Sequence, residues 1–126
     1  MTKKTKREVS ANYSQKKLMD SFEVGDVVVA TRYGRSISNE FYQIIGKDKN
    51  KFKVRKLKKQ RVSGNFAQGM ETYYEENSFE DREIKAVKPS GSKYSKSVYL
   101  DISDDRYGRK MTDKEKAEGV WFDYMD

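Results

Sequence analysis

A chain of 126 residues with 35% hydrophobic and 37% charged side chains has apolar material for one small core, which predicts a single domain with solvated ends. The absence of Cys and His removes thiol nucleophiles, imidazole bases, disulfides and the commonest zinc ligands together. A net charge of +7 favours anionic partners, while nine Tyr, six Phe and one Trp argue against a chain that stays unfolded.

Residues 1–20 carry six basic and two acidic side chains with little hydrophobic pattern. They are expected to form a flexible basic arm, or a helix that orders on docking, ahead of one β-rich domain over residues 21–126. The arm lacks the apolar stretch of a secretory signal and no apolar run reaches membrane-spanning length, so a cytoplasmic protein without membrane contact is expected. Phe22-Glu23-Val24-Gly25-Asp26 then leads through a turn signal into the β-branched run Val27-Val28-Val29-Ala30-Thr31, the first predicted strand. Phe41-Tyr42-Gln43-Ile44-Ile45 is the second. The turn residues Gly46 to Asn50 join it in a hairpin to Lys51-Phe52-Lys53-Val54-Arg55, whose alternation is that of a strand with one wet face.

Arg61 to Gly69 is polar and holds two glycines, which predicts a loop entering a strand at Met70-Glu71-Thr72-Tyr73-Tyr74. Ile84 to Lys88 reads as a short strand stopped by Pro89 and a Ser-Gly-Ser loop at residues 90–92, and Val98 to Ile102 as another ending in the turn Ser103-Asp104-Asp105. Thr112 with Glu115 fits a capping box and Gly119 a helix stop, which predicts one short helix. A last strand over Val120-Trp121-Phe122-Asp123-Tyr124 is expected to close the core and bury the only Trp. Scarce leucine and closely spaced strands rich in Val and Tyr give a mainly β fold class: a small SH3-like or related β-barrel with a short C-terminal helix.

The densest functional signal is Lys47 to Arg61, with nine basic side chains against the single acid Asp48. On an extended strand Lys51, Lys53 and Arg55 share one face at roughly 6.6–7 Å spacing, close to that of phosphates. Lys47, Lys49, Lys51, Lys53, Arg55, Lys56, Lys58 and Lys59 are therefore the candidate nucleic-acid contacts, against the plainer reading of a solvated strand face guarded by lysine. A second signal is the string Arg32-Tyr33-Gly34-Arg35, repeated as Arg106-Tyr107-Gly108-Arg109. Both copies fall at predicted turns, and planar Arg donors beside a Tyr ring suit nucleic acid or an acidic protein surface, whereas the plainer reading is turn chemistry. The acidic stretch Glu71 to Asp81 answers the basic run ten residues earlier, either within the molecule or towards a partner's cationic groove. Arg32, Tyr33, Arg35, Tyr73, Tyr74, Arg106, Tyr107 and Arg109 are the candidate partner-binding residues. No calcium loop, His-containing metal motif, paired-carboxylate site, Walker pattern or dinucleotide fingerprint occurs, so no catalytic residue and no cofactor is expected.

Gly25-Asp26-Val27-Val28-Val29, Phe41-Tyr42-Gln43-Ile44-Ile45 and Phe52-Lys53-Val54-Arg55-Lys56-Leu57 together resemble the small β-barrel accessory proteins of bacteriophages and conjugative elements of low-GC Gram-positive bacteria. The likeness covers about a third of the chain. It implies a small barrel acting inside a bacterial host cell, with no catalytic residues to carry over. It also implies one of two non-enzymatic roles: a binder of nucleic acid or a ribonucleoprotein, or an inhibitor of a host defence nuclease of the anti-CRISPR or anti-restriction type that acts by protein–protein contact.

Overall fold

The run Val27-Val28-Val29-Ala30 lies at the centre of the structure with all four side chains buried. It belongs to strand β1 (Val27–Arg32), and a run of this kind without polar alternation marks a strand covered on both faces. Val28 and Ala30 point into one apolar cluster with Ile44, Phe52, Val54 and Leu100, whereas Val27 and Val29 point into a second with Phe41, Leu57, Met111 and Val120. The first cluster fills a barrel; the second fills the space between that barrel and a smaller sheet.

The computed structural model describes residues 15–91 and 97–124. A short helix, α1 (Gln15–Asp20), leads into the barrel, where Met19 and Phe22 are buried and Phe22 meets the edge of Phe52 at 5.5 Å. Part of the predicted arm is thus ordered by apolar packing, and residues 1–14 of it lie outside the described residues. β1 pairs with β2 (Ser38–Lys47), which pairs with β3 (Phe52–Lys56), all antiparallel as the hairpin pattern predicts. Leu57, fully buried, turns the chain out of the barrel into β4 (Lys59–Gly64), which forms a hairpin with β5 (Gln68–Tyr73).

This corrects the loop expected from Arg61 to Gly69. All six residues of β4 are exposed at a sheet edge, so no apolar alternation betrays it. Its turn is built by the Asn65 side chain, which accepts hydrogen bonds from the Ala67 and Gln68 amides at 2.8 and 3.1 Å. Gly64 and Gly69 face one another across the pair so closely that a Cβ on either would strike the other's backbone.

The chain then supplies β6 (Lys85–Val87) and β7 (Pro89–Gly91), with only Lys88 between them. β6 pairs with β3 and β7 with β8 (Val98–Ser103), so one segment forms both edges of the seven-stranded sheet β6-β3-β2-β1-β9-β8-β7 and nearly closes it into a barrel. The Lys88 carbonyl accepts the Asp101 amide at 3.0 Å across the seam. Pro89 was expected to end regular structure, but here it opens a strand, a position where its missing N–H is tolerated.

After the turn at Asp104-Asp105 comes β9 (Arg106–Lys110), which pairs with β8 and with β1. The second Arg-Tyr-Gly-Arg copy is therefore a strand and not a turn. Gly108 is buried where a Cβ would approach Val28 Cγ2 at 3.0 Å and Ile102 Cγ1 at 3.2 Å, so here glycine serves close packing. Helix α2 (Asp113–Glu118) carries the predicted capping box between Thr112 and Glu115, and Gly119 ends it at φ 91°. β10 (Val120–Asp123) adds to β5 to complete a three-stranded sheet, β10-β5-β4. The fold is mainly β, barrel-like, with a short helix near the C-terminal end, and the described residues form ten strands where seven were read from sequence.

Trp121 is not the buried aromatic of β10. It is 44% exposed, while its neighbour Phe122 is fully buried, with Tyr124 at 4.8 Å and the Arg61 guanidinium at 4.9 Å over its ring. Phe122→Ala is expected to lower the unfolding free energy by ~3–5 kcal/mol and Trp121→Ala by no more than ~1 kcal/mol, read from urea unfolding curves. Equal losses from the two variants would contradict the placement of β10.

Candidate functional site

The basic run does not form one row, because the chain bends at Leu57-Lys58 and its cations meet different surroundings. Phe52 and Val54 point inward and Lys53 outward, as alternation requires. The β2–β3 turn is closed by the Asp48 amide on the Lys51 carbonyl at 2.9 Å. Lys47 lies back along the barrel end, donating to the Phe22 carbonyl at 3.3 Å with its ammonium 5.7 Å from the Phe52 ring centroid. Lys53 and Asp48 are 3.8 Å apart and both half exposed. Lys49 and Lys51 make no ion pair among the described residues.

The rest of the run holds the scaffold together. Arg55 stacks over Phe79 at 4.0 Å and donates to the Asp81 carbonyl. Lys56 bridges Glu40 at 2.7 Å and Glu80 at 3.4 Å. The acidic segment after β5 thus folds back over β3, so part of the charge complementarity is satisfied within the molecule. Lys58 is exposed, but its backbone is tied to Ser78 and Tyr74. Lys59 donates to the Asn39 carbonyl at 3.0 Å and the Tyr124 hydroxyl at 2.9 Å, beside buried Glu71 at 3.6 Å. The Asn39 amide in turn donates to Glu71 at 3.1 Å and to the Trp121 carbonyl at 2.8 Å, so this polar knot joins the barrel to the second sheet.

A second ionic cluster sits at one end of the barrel. Glu40 receives Lys56, the Arg106 guanidinium and, at 3.3 Å, the Tyr42 hydroxyl, while Arg106 also reaches Ser38 Oγ at 3.2 Å. Burial pushes the Glu40 carboxyl up, but the Lys56 hydrogen bond and charge, with Arg106, outweigh it and hold the group below its ordinary value. Burial, with Glu40 adjoining, pushes the Tyr42 phenol up. Arg106 is thereby committed to the scaffold. Tyr73 is also half buried, packing on Phe41 with ring centroids 6.5 Å apart, so of the pair Tyr73 and Tyr74 only Tyr74 stands free of the core.

The remaining members of the two Arg-Tyr-Gly-Arg strings converge. The antiparallel pairing of β1 with β9 sets Val29 opposite Arg109, and the outer face of these strands and β8 forms a groove of about 640 Å³. Tyr33 from the first copy and Tyr107 and Arg109 from the second line it, with Val29, Val98 and Tyr99. Arg32 reaches Asp105 at 3.2 Å on the rim, and Arg35 makes no ion pair among the described residues. Tyr99, which sequence reasoning passed over, fixes Tyr107 by an edge contact at 4.9 Å; its outward place in the alternating strand was the available signal. Arg109 is held by both Glu115 oxygens at 2.7 and 2.5 Å. That hydrogen bond raises the guanidinium above its ordinary value and, against burial, lowers the Glu115 carboxyl.

No protein-family model, no curated protein and no solved structure matches this chain. Among the described residues, no helix is long and apolar enough to cross a membrane, and no three Asp or Glu side chains group as metal ligands would.

The Glu40 cluster makes stability depend on pH in a defined direction. A carboxyl whose folded value is depressed stabilises the fold above its unfolded value, and that contribution fades as pH falls from about 4.5 through the lower folded value. Glu40→Gln is expected to lower stability by about 2 kcal/mol at neutral pH and to narrow its gap to wild type at about pH 3. Thermal melts across this range check it, and a gap that widens in acid would contradict the assignment.

Proposed function

We propose that the chain is a non-enzymatic binding module that engages nucleic acid through the end of the β2–β3 hairpin, with Lys49, Lys51 and Lys53 as contacts and Lys47 alongside. The observation that carries this reading is the division of the basic run. Arg55, Lys56 and Lys59 are absorbed by Phe79, Glu40, Glu80 and Glu71, whereas Lys49 and Lys51 are unopposed among the described residues and Lys53 has one loose, half-exposed partner. Exposed pairs of that kind contribute little, so these ammonium groups remain available to phosphates, whose binding is driven by release of condensed counterions. The net charge of +7 supports such a partner, and the lack of His and Cys supports a role without catalysis. The reading agrees with one of the roles implied by the resemblance to mobile-element barrels.

Contact with a protein partner is a second reading, favoured by one observation. Trp121, Val62 and Phe66 are exposed on the second sheet and its hairpin, with Phe66 at the hairpin tip 83% accessible. Such apolar side chains suit a protein surface better than a phosphate backbone.

Fluorescence anisotropy of a labelled oligonucleotide over a salt series tests the first reading. Changing Lys49, Lys51 and Lys53 to Ala together should weaken binding and flatten the log–log salt slope by about 2–3. An unchanged slope in a folded triple variant rejects the hairpin as the contact.

A further inference from the structure

Two aromatic side chains of the groove stand in water. Tyr33 is 77% exposed and Tyr107 52%, and their ring faces are stacking surface that the fold leaves unused. The phenols of Tyr33, Tyr99 and Tyr107 have no hydrogen-bond partner among the described residues. The rings are nevertheless positioned: Tyr99 meets Tyr107 with planes at 70°, and α2 anchors Arg109 through Glu115, itself fixed by the capping box. Val98 lends the lining apolar surface over buried Val29, and the volume of about 640 Å³ falls in the range of small-ligand sites.

The charge around the groove narrows the occupant. Glu115 neutralises Arg109 and Arg32 pairs with the lining carboxylate of Asp105, so the interior offers ring faces, phenols and a planar guanidinium rather than a bare charge. Arg35, with no ion pair among the described residues, follows Tyr33 on the loop after β1, and Arg32, more than half exposed beside Asp105, ends that strand. Flat faces inside and cations outside match an unpaired base with its phosphate.

We propose that the two Arg-Tyr-Gly-Arg strings build a stacking site for unpaired nucleobases, in which Tyr33 and Tyr107 stack the bases and Arg32 and Arg35 meet the flanking phosphates. The inference rests on the nucleic-acid reading above and adds to it a demand for single strands. Stacking tolerates any base, since each has a π face, so the site confers strand-state preference and not sequence preference. The hairpin lies beyond the Val27 end of β1 and the groove near its Arg32 end, so one strand touching both would have to span at least the length of β1, roughly 20 Å.

The test uses the full chain and three probes of about 15 nucleotides: oligothymidylate, an abasic oligonucleotide of equal length, and a blunt duplex. Wild type should bind oligothymidylate at least about tenfold more tightly than the abasic strand. Tyr33→Ala with Tyr107→Ala should bring that ratio near one while leaving abasic affinity unchanged, and the corresponding Phe variants should keep the ratio. The Lys49, Lys51 and Lys53 alanine variant should weaken both single strands alike and preserve the ratio. Both groove tyrosines are exposed, so the variants are expected to melt as wild type does. Equal wild-type affinity for the base-bearing and abasic strands overturns the stacking site while sparing the hairpin reading, as would a groove reserved for protein. A duplex bound more tightly than oligothymidylate also overturns it. Base-dependent binding that ignores the lysine variant upholds the groove and rejects the hairpin, and no binding to any probe rejects both.

Discussion

The structure depends on β1 being buried on both faces. A strand covered on one side can pack one layer; Val28 and Ala30 fill the barrel while Val27 and Val29 carry the second sheet, so a single run of four residues holds two cores in register. Every site described above takes its position from that strand. β2 hangs on one side of it and extends to the lysine turn, and β9 on the other, which brings the second Arg-Tyr-Gly-Arg string beside the first.

The small proportion of apolar residues is offset by polar junctions between the layers. Lys59, Asn39, Glu71 and Tyr124 join the barrel to the second sheet, and Lys56, Glu40 and Arg106 close one barrel end. Buried polar groups are tolerated when their hydrogen bonds are satisfied, and truncating one member leaves its neighbours stranded. Function competes with structure for the same residue types here, and a chain rich in lysine is not thereby rich in free lysine.

Legibility in the sequence followed burial. β1 and β2 were readable as continuous apolar runs, β3 and β8 because one-sided burial leaves an alternating pattern, and α2 by its capping box. β4 was not, since an exposed edge needs no apolar residue, and β9 was misread because Gly108 was taken as a turn former when it is a thin spot for Val28 and Ile102. The division of the lysines could not be seen either, because it depends on the acidic segment crossing β3. The repeated string was visible, but its convergence needed the pairing of β1 with β9 across some eighty residues, which no local pattern encodes.

The seam formed by residues 85–91 has a consequence for association. An open sheet has two exposed margins, each a template on which another chain can grow, and natural proteins must blunt both. Here both margins belong to one stretch of backbone, so neither can peel away to recruit a neighbour unless the other is strained as well. Of the second sheet's two margins, β10 is tied to the barrel where Asp123 exchanges both backbone hydrogen bonds with Ile37 and the Trp121 carbonyl accepts from Asn39. The other, β4, faces solvent, with Lys59 turned into the polar knot, Arg61 over Phe122, and Gly64 ending the strand against Gly69. Resistance to polymerisation in this protein is therefore concentrated in one short hairpin, where substitutions at outward side chains such as Val62 bear on colloidal behaviour more than on folding.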